Sequence, residues 1–528
     1  MTRTTVFIHP RIRTLENEEP LDGAIVVRDG RIALLGSLDE ARAVAGDGAE
    51  EVRLEGEALL PAFHDAHIHS GSMAAVRLGP DLAGATSYTE VLERLRIFEK
   101  ENPGDGWIMG GRWDSNAWLD GAQPHRSDLD AIFGVRPVML STVDGHADWA
   151  NSAALTRAGI EATTPDPGGG RIVKDATGEP TGLLLESASG SVDRVAREEL
   201  VFSTEELLRD AQQHLLSLGI AHITDIDGED VRSGYLALRA RGDLRIRVHK
   251  MTRAGEMPAA LADGRRFGDG DDWFTTGPVK IFADGALGPH TAHFHDDFVG
   301  ERGNRGIEVT AQGEIVELVR SAVDAGLGAA VHAIGDRANT LVLEAFETVA
   351  DDARVRGVPL RIEHAQHIRP SDLDRFSELG VVASMQPTHC TSDFPLSVQL
   401  LGSRPTAHYP WRSLLDRGVC VAFGSDAPVE PADPFLGIHA AVTRQRVDGE
   451  PHGGREPDER ITLTEALRAY TLAPAQAAGL AEHTGRLEAG MFADFITVDQ
   501  DPYEVTEADL WRIRTEATVV GGEVVFRR

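Results

Sequence analysis

The sequence predicts an α/β fold, a (β/α)₈ barrel with additions at both chain ends and after the first barrel strand. Three observations lead to this prediction. Eight apolar segments followed by polar residues alternate with helical patterns along the middle of the chain. Both chain ends instead alternate single apolar and polar residues. The 528 residues also exceed the roughly 250 that a barrel of this type needs.

The two chain ends have the pattern of β-hairpins. An Asp-Gly turn at residues 29–30 and a Gly-Gly turn at residues 521–522 each separate two alternating runs. Neither end is long enough to bury a hydrophobic core alone. We therefore expect residues 1–57 and 485–528 to pair in one small β-domain, with the barrel between them.

Residues 58–84 and 202–484 hold the eight segments that we assign to barrel strands. Between several of them lie stretches with apolar residues three and four positions apart and glycine near the ends, which is typical of helices. In chain order the strand segments are LLPAFHDAHIH, GIAHITDID, LRIRVHKM, PVKIFADG, GLGAAVHAIGD, PLRIEHAQH, GVVASMQP and GVCVAFGSDAP. A closed barrel of eight parallel strands is therefore expected.

Residues 85–201 interrupt the alternation of strands and helices. This segment is too long for a single crossover helix, and it holds four of the seven tryptophans, namely Trp107, Trp113, Trp118 and Trp149. We expect an insertion after the first strand, lying over the face where barrel enzymes build their active sites. Such an insertion would shape the substrate pocket.

Composition excludes several classes of function. The formal net charge of −32 repels nucleic acid and anionic membranes, so we expect neither as a partner. Salt adaptation and GC-rich coding both explain an acidic chain with few lysines. The two cysteines cannot build a disulfide framework, and the chain has no signal-peptide core and no run of about 18 apolar residues. We therefore expect a cytoplasmic protein.

Four histidines and one aspartate occupy strand ends in a pattern that predicts a metal site. His67 and His69 lie two residues apart, so both side chains project from one face of the first strand. His332, His364 and Asp426 each follow an apolar strand core. A single H-x-H pair is weak evidence in a chain with 20 histidines. Five ligand-type residues at barrel strand ends are much more specific.

Lys280 lies within the apolar fourth strand, where an unpaired ammonium group has a large desolvation cost. One explanation is carboxylation by CO₂, which turns the amine into a bridging ligand for two metal ions. The other explanation is an ion pair, with Asp284 as the candidate partner. Lys250 on the third strand is the rival lysine, and the strand order favours Lys280.

Together these segments resemble the amidohydrolase superfamily over nearly the whole chain. The resemblance is carried by FHDAHIH, VKIFADG, VHAIGD, EHAQ and GSDAP. Longer motifs resemble the amidohydrolase-3 branch, which includes YtcJ-like proteins and N-substituted formamide deformylases. These motifs are GGRWDSNAW, DGHADWANSAAL, DPGGGRIVKDATGEPTGLLLE, ADGALGPHTA, YTLAPAQAAGL and GRLEAGMFADFITVD.

The resemblance implies a barrel with a split β-sandwich and a divalent metal cofactor, with Zn²⁺ the expected ion. It places six residues on the family's metal ligands, which are His67, His69, Lys280, His332, His364 and Asp426. The first motif reads AFHDAHIH, where the family more often has glycine and an apolar residue before the aspartate. We expect His64 in this motif to be a packing residue or to lie behind the ligands.

The resemblance also implies a mechanism. The histidine pair of the first strand holds one ion, and His332 and His364 hold a second ion if a carboxylated Lys280 bridges the two. An unmodified lysine implies a single ion on the histidines and Asp426. A bound divalent ion lowers the pKa of water from about 15.7 to about 7. Asp426 is the expected catalytic residue, because it can take the water proton and deliver it to the departing nitrogen.

The expected function is metal-dependent hydrolysis of a C–N bond in an N-substituted formamide or a related linear amide. The same ligands suit the hydrolysis of esters or phosphotriesters and the deamination of a ring, and a non-catalytic metal-binding regulatory protein is an alternative of another class. Candidate pocket residues are Trp113, Asp114, Asp144 and His146. An aromatic lining would suit a hydrophobic N-substituent. The expected partner is a small molecule, and a homodimer is left open.

Overall fold

Eight parallel strands form a barrel at the centre of the structure, a computed structural model that describes residues 4–16, 19–77, 79–118, 121–199 and 203–528. All eight predicted barrel strands are present, and they lie side by side in chain order. They are Phe63–Ile68, Ile220–Asp225, Arg247–Arg253, Phe274–Phe282, Ala329–Ala333, Leu360–His364, Val382–Met385 and Val421–Phe423.

The barrel is nearly closed between its first and last strands, which a backbone hydrogen bond bridges. The backbone amide of Asp426, just after the eighth strand, donates a hydrogen bond of 2.8 Å to the carbonyl oxygen of His67. Most residues of the barrel strands are buried, on both faces of the sheet. Burial on both faces explains why these segments are continuous apolar runs in the sequence.

Helices alternate with the barrel strands, and glycine lies at some of their ends, as expected from the sequence. Thr204–Ser217 begins with a capping box formed by Ser203 and Glu206. Glu229–Arg241 ends at Gly242, whose φ of 73° favours glycine. No helix within the described ranges is both long and apolar enough to cross a membrane. Other helices here are Ser70–Val76, Met257–Ala262, Gln312–Asp324, Asp336–Glu347, Ala350–Arg356, Leu373–Leu379, Pro387–Ser392, Phe394–Leu401, Trp411–Leu415, Pro434–Thr443, Leu463–Ala469 and Leu472–Ala477.

Both chain ends join in one mixed sheet of eight strands. Ala58–Pro61 connects them, because it pairs with Phe495–Val498 from the C-terminal end and with Thr4–Ile12 from the N-terminal end. The sheet thus extends beyond the boundary predicted at residue 57, into a segment assigned to the first barrel strand. Its other strands are Leu21–Arg28, Arg31–Gly36, Glu50–Arg53, Thr515–Val520 and Glu523–Arg527, and the helix Leu38–Ala45 packs on the sheet.

The segment between the first two barrel strands forms a subdomain around its own sheet. The sheet has five strands, in the order Gly170–Lys174, Pro180–Glu186, Ala147–Ala150, Val138–Thr142 and Ile108–Trp113. Its helices are Tyr88–Glu101, Arg126–Phe133, Ser152–Arg157 and Gly190–Glu199. Three of its tryptophans, Trp113, Trp118 and Trp149, share one apolar core. The predicted boundary at residues 201 and 202 lies outside the described residues.

Candidate metal centre

The C-terminal ends of the barrel strands carry the predicted ligands. His67 lies near the end of the first strand and His69 follows it, whereas His332 and His364 lie at the ends of the fifth and sixth strands and Asp426 follows the eighth. Because the parallel strands of a closed barrel all end on the same face, side chains distant in sequence meet there. All five are buried except His69, which is partly exposed.

His67, His69 and Asp426 form a group that can hold a metal ion. Their ligand atoms all lie within 4.8 Å of one another. Asp426 Oδ1 lies 3.3 Å from His67 Nε2 and 3.6 Å from His69 Nε2. Within the described residues, Asp426 Oδ1 and His67 Nε2 are buried without hydrogen-bond partners. Since buried polar atoms are normally paired, these lone pairs fit a shared cation.

Carboxylates behind the first-strand histidines orient both rings. His67 Nδ1 lies 2.6 Å from Glu363 Oε2, and Arg361 in turn holds Glu363. His69 Nδ1 lies 3.0 Å from Asp227 Oδ1. An Nδ1–H that donates to a carboxylate leaves Nε2 as the lone-pair nitrogen, which is the usual arrangement of histidine ligands. Both rings therefore present Nε2 to the same carboxylate oxygen of Asp426.

His364, His389 and Asp426 form a second group with ligand atoms within 4.8 Å of one another. Asp426 Oδ2 lies 3.9 Å from His364 Nδ1 and 4.0 Å from His389 Nε2. His389 is not among the predicted ligands, because it lies on the helix Pro387–Ser392 beyond the end of the seventh strand. The signal in the sequence was the QPTH segment that directly follows the apolar run of that strand.

His332 borders these two groups and belongs to neither. Its ring centroid lies 4.5 Å from that of His364. Its Nε2 lies 3.0 Å from the carbonyl oxygen of Gly285 and 3.3 Å from Asp284 Oδ1. With Nε2 engaged in this way, Nδ1 is the nitrogen of His332 that remains for a ligand.

The two buried lysines of the barrel differ in their partners. Lys250 forms an ion pair of 3.0 Å with Asp225. Lys280 Nζ, in contrast, is buried without a hydrogen-bond partner in the described part of the chain. Burial lowers the pKa of Lys280 to about 8. Asp284, the candidate partner for an ion pair, instead accepts hydrogen bonds from the backbone amides of residues 293, 334 and 335.

Asp426 has both the charge and the backbone geometry of a functional residue. Burial opposes its ionisation, but His67 and His69 outweigh this effect and hold the pKa of Asp426 well below its usual range. Its φ is 59°, and that of His364 is 75°. Such values are uncommon for residues with a side chain, and they cluster at functional sites. The carboxylate is therefore ionised at neutral pH and held in a constrained position.

His146 reaches the centre from the insertion. Its ring centroid lies 5.7 Å from that of His332. Its Nδ1 lies 2.9 Å from Glu186 Oε2, and the other oxygen of Glu186 accepts a hydrogen bond of 2.6 Å from Thr291. Burial lowers the pKa of His146, but the Glu186 carboxylate more than compensates and the pKa rises to about 9. The ring is thus protonated at neutral pH.

The other predicted pocket residues have different surroundings. Asp144 accepts a hydrogen bond of 3.1 Å from the backbone amide of His146 and so shapes the turn that carries this ring. Asp114 caps the short helix Ser115–Ala117, and burial raises its pKa. Trp113 lies in the apolar core of the insertion and donates to a backbone carbonyl 2.7 Å away. The structure therefore brings His146 to the ligands and assigns Trp113 to packing.

His64, the departure from the usual family motif, packs away from the ligands. Its ring stacks on that of His222, with centroids 5.6 Å apart, and its Nε2 lies 3.0 Å from the hydroxyl of Thr224. Burial lowers the pKa of His64 well below its ordinary value. A neutral, hydrogen-bonded ring in this position is a packing residue.

Comparison with known proteins places this arrangement in a family. The amidohydrolase family model matches residues 50–526. The LONG AFTER FAR-RED 3 protein of Arabidopsis thaliana is 32% identical over 100% of this chain and 91% of its own. The putative amidohydrolase YtcJ of Bacillus subtilis strain 168 is 31% identical over 98% of each chain. The N-substituted formamide deformylase of Arthrobacter pascens is 29% identical over 100% of this chain and 99% of its own.

A solved structure extends the similarity to three dimensions. An uncharacterized metal-dependent hydrolase from Pyrococcus horikoshii OT3 is 28% identical, with a TM-score of 0.79. The match covers 96% of this chain and 99% of that one, so it includes the terminal sheet, the insertion and the barrel. By its sequence and its fold, this chain belongs to the amidohydrolase family.

Proposed function

We propose that this chain is a hydrolase that uses a bound divalent metal, with Zn²⁺ the expected ion, to cleave the C–N bond of a linear amide such as an N-substituted formamide. The observation that carries the proposal is the group of His67, His69 and Asp426 at the C-terminal face of the barrel, whose ligand atoms lie within 4.8 Å of one another. The relative named N-substituted formamide deformylase aligns with the whole chain and supports the choice of bond.

Asp426 is the residue that moves the proton in this reaction. A divalent ion held by His67, His69 and Asp426 would act as a Lewis acid that polarises the carbonyl group and acidifies water. The Asp426 carboxylate takes one proton from the attacking water as the water oxygen bonds to the carbonyl carbon. The same proton then passes to the amide nitrogen as the C–N bond breaks, which releases the amine and the carboxylic acid.

Lys280 is the proposed bridging ligand, after reaction with CO₂. The nitrogen of its neutral amine bonds to the carbon of CO₂ and loses one proton to solvent, which leaves a carbamate. The lowered pKa of about 8 favours this reaction, because the neutral amine is then accessible near neutral pH. The carbamate would supply anionic oxygens to a site that already contains several buried imidazoles. With this modification the residues of the centre would hold two ions, and without it one.

His146 is the proposed contact between the insertion and the substrate. Its protonated ring, held by Glu186, is a charged hydrogen-bond donor beside the ligands. A substrate oxygen is the group that suits such a donor. Preference for a hydrophobic N-substituent remains a prediction of the sequence.

The alternative functions are of two kinds. The first is hydrolysis of other substrates by the same activated water, and the second is metal binding without catalysis. Esters, phosphotriesters and aminated rings are alternative substrates, because activated water attacks each of them. A regulatory protein would bind metal without turning over any of these substrates. The bond cleaved is therefore a separate question from metal binding.

Metal analysis joined to a substrate screen tests the proposal. The purified chain and the Asp426→Asn variant would be assayed with formamides, N-acyl amines, lactams, esters and phosphotriesters. We expect bound metal in the wild-type chain, fastest turnover of linear amides, and loss of turnover in the variant. If the chain hydrolysed only esters or phosphotriesters, these would be its substrate class and the assignment to linear amides would be wrong. A metal-loaded chain that hydrolyses nothing would contradict the hydrolase assignment.

A further inference from the structure

His389 lies in the metal centre with no part in the mechanism described so far. It is 7% exposed, and within the described residues its Nε2 has no hydrogen-bond partner. This nitrogen faces Asp426 Oδ2 across 4.0 Å, which is too long for a hydrogen bond. Because buried polar atoms are normally paired, a buried ring nitrogen without a partner at this position is available to a bound molecule.

We infer that His389 is a catalytic residue that donates a hydrogen bond from Nε2 to the carbonyl oxygen of the substrate, and that Gln366 holds the ring in the tautomer this requires. The inference rests on the proposed function, because it assigns His389 a step in the same hydrolysis.

The contact between Gln366 and His389 determines the tautomer. Gln366 Nε2 lies 3.4 Å from His389 Nδ1, and both side chains are buried. An amide nitrogen can only donate, so Nδ1 is the acceptor in this contact. In a neutral imidazole the other nitrogen, Nε2, then carries the hydrogen. His389 therefore presents a donor, and not a lone pair, to the centre.

The tautomer set by Gln366 also argues against His389 as a metal ligand. A nitrogen that binds a metal ion uses its lone pair, whereas Nε2 of His389 carries a hydrogen in this tautomer. The rings of His389 and His364 are nearly parallel, with an interplanar angle of 5° and centroids 6.1 Å apart. His389 is therefore assigned the role of a donor, and His364 remains the ligand.

The two oxygens of Asp426 divide the centre into two sides. Oδ1 faces the lone-pair nitrogens of His67 and His69. Oδ2 faces His389. A water molecule activated on the first side would attack a carbonyl carbon about 3 Å away, and a substrate that lies between the two sides would have its carbonyl oxygen near His389. The carbonyl oxygen becomes negatively charged in the transition state, and a fixed donor at that point stabilises the charge.

Removal of one such donor lowers kcat by about 10²- to 10³-fold in other hydrolases. We expect His389→Phe, which keeps the ring and loses the donor, to lower kcat by about 100-fold with KM within about threefold of the wild type. His389→Gln, whose amide nitrogen reaches the position of Nε2, should recover at least about tenfold of that loss. Gln366→Leu should lower kcat by a smaller factor, because the ring then populates both tautomers.

The experiment compares these variants on the amide that the wild-type chain turns over fastest, with metal per chain measured by mass spectrometry of the metal. Cys390→Ala is the matched control, since Cys390 is buried on the same short helix and next to His389. We expect the control to retain kcat. We also expect the control and the three variants at His389 and Gln366 to retain the wild-type metal content. Thermal unfolding of each variant reports whether it folds.

Each result supports or overturns the inference. Loss of metal from His389→Phe would make His389 a ligand and overturn it. So would unchanged kcat in His389→Phe when the wild type is active. If the phenylalanine variant does not fold, His389→Gln is compared with His389→Asn, and equal kcat values would overturn the inference. A wild-type chain that hydrolyses no substrate overturns the proposed function itself, which separates that failure from failure of the His389 inference alone.

Discussion

Asp426 is shared by two groups of histidines, and this sharing explains its central role. One carboxylate oxygen faces His67 and His69, and the other faces His364 and His389. Histidine neighbours keep the carboxylate ionised, so that it can both bind a cation and accept a proton. No other carboxylate in the described ranges occurs in both groups.

Replacement of Asp426 by asparagine should therefore abolish most of the activity. We expect Asp426→Asn to lower kcat by about 10²- to 10⁴-fold, because the amide cannot accept the water proton. The measurement is kcat at saturating metal, with circular dichroism to confirm the fold. Asp416→Asn, at an exposed carboxylate outside the centre, is the control and should retain activity. Activity of Asp426→Asn within about threefold of wild type would contradict the assigned role.

Lys280 leads to a prediction about the number of metal ions. Chain prepared with bicarbonate should hold two ions, and Lys280→Ala should hold one, because the carbamate that bridges the ions is absent. Metal analysis gives the number, and ¹³C NMR after incubation with ¹³C-bicarbonate should show a carbamate carbon in the wild type only. Equal metal content in the two chains would contradict carboxylation at this position. Lys250→Ala would not serve as a control, because it removes the buried ion pair with Asp225.

The insertion contributes to the centre through one element, the turn that carries His146. Glu186, at the end of the strand Pro180–Glu186, holds the ring, and Thr291 from the barrel holds Glu186. Insertion and barrel therefore meet in a hydrogen-bonded chain next to the ligands. In the proposed function, these hydrogen bonds position His146 as a donor to the substrate, next to the metal ligands and not among them.

Loss of the Glu186 carboxylate should weaken substrate binding more than it slows the chemical step. We expect Glu186→Gln to raise KM by about tenfold, since a hydrogen bond to a charged group contributes about 1.5–3 kcal/mol. The effect on kcat should be within about threefold, because Asp426 and the histidines are unchanged. Glu179→Gln, on the same subdomain but exposed, is the control. A variant with unchanged KM would remove His146 from the substrate site.

At the level of elements, the sequence predicts the barrel well because its strands combine two signals. Each is a continuous apolar run, and several end in ligand-type residues such as His332 and His364. The strand Ala58–Pro61 is not separated from the first barrel strand in the sequence, because apolar residues continue across the boundary. The sheet of the insertion is also not predicted in its strand order, since partners in a mixed sheet depend on contacts far apart in the chain.

Site residues are predictable where chemistry coincides with a strand end. His67, His69, His364 and Asp426 meet as the strand pattern indicates. His389 needs the three-dimensional path of the chain, because only the turn of a short helix directs it to the centre. Trp113 is a residue for which the sequence is misleading. The sequence predicts that its aromatic side chain lines the substrate pocket, but this side chain packs in the apolar core of the insertion.

At the scale of the whole molecule, a buried carboxylate links the terminal sheet to the barrel. Asp494 precedes the strand Phe495–Val498 and accepts hydrogen bonds of 2.7 Å from His222 and Arg247 on the second and third barrel strands. Burial opposes the charge, but Arg247 and His222 hold the pKa of Asp494 well below its usual range. The two ends of the chain are thereby linked to the barrel.

Asp494→Asn should destabilise the molecule in a pH-dependent way. We expect a loss of about 3–5 kcal/mol at pH 7, because Arg247 becomes an uncompensated buried charge. The folded pKa of Asp494 is depressed, so its contribution is complete above the unfolded value of about 4 and declines as the pH falls below it. The difference in unfolding free energy between wild type and variant should therefore shrink below about pH 4. An equal difference at pH 7 and pH 3 would contradict this account.

The dependence of hydrolysis on bound metal is the most direct test of the central claim. The purified chain would be stripped with a chelator, assayed on an N-substituted formamide and other linear amides, and then titrated with Zn²⁺ and other divalent ions. We predict that activity disappears on chelation and returns in proportion to the metal bound, up to one ion per chain, or two when Lys280 is carboxylated. Full amide hydrolysis by the metal-free chain, or none at any metal content, would contradict the claim.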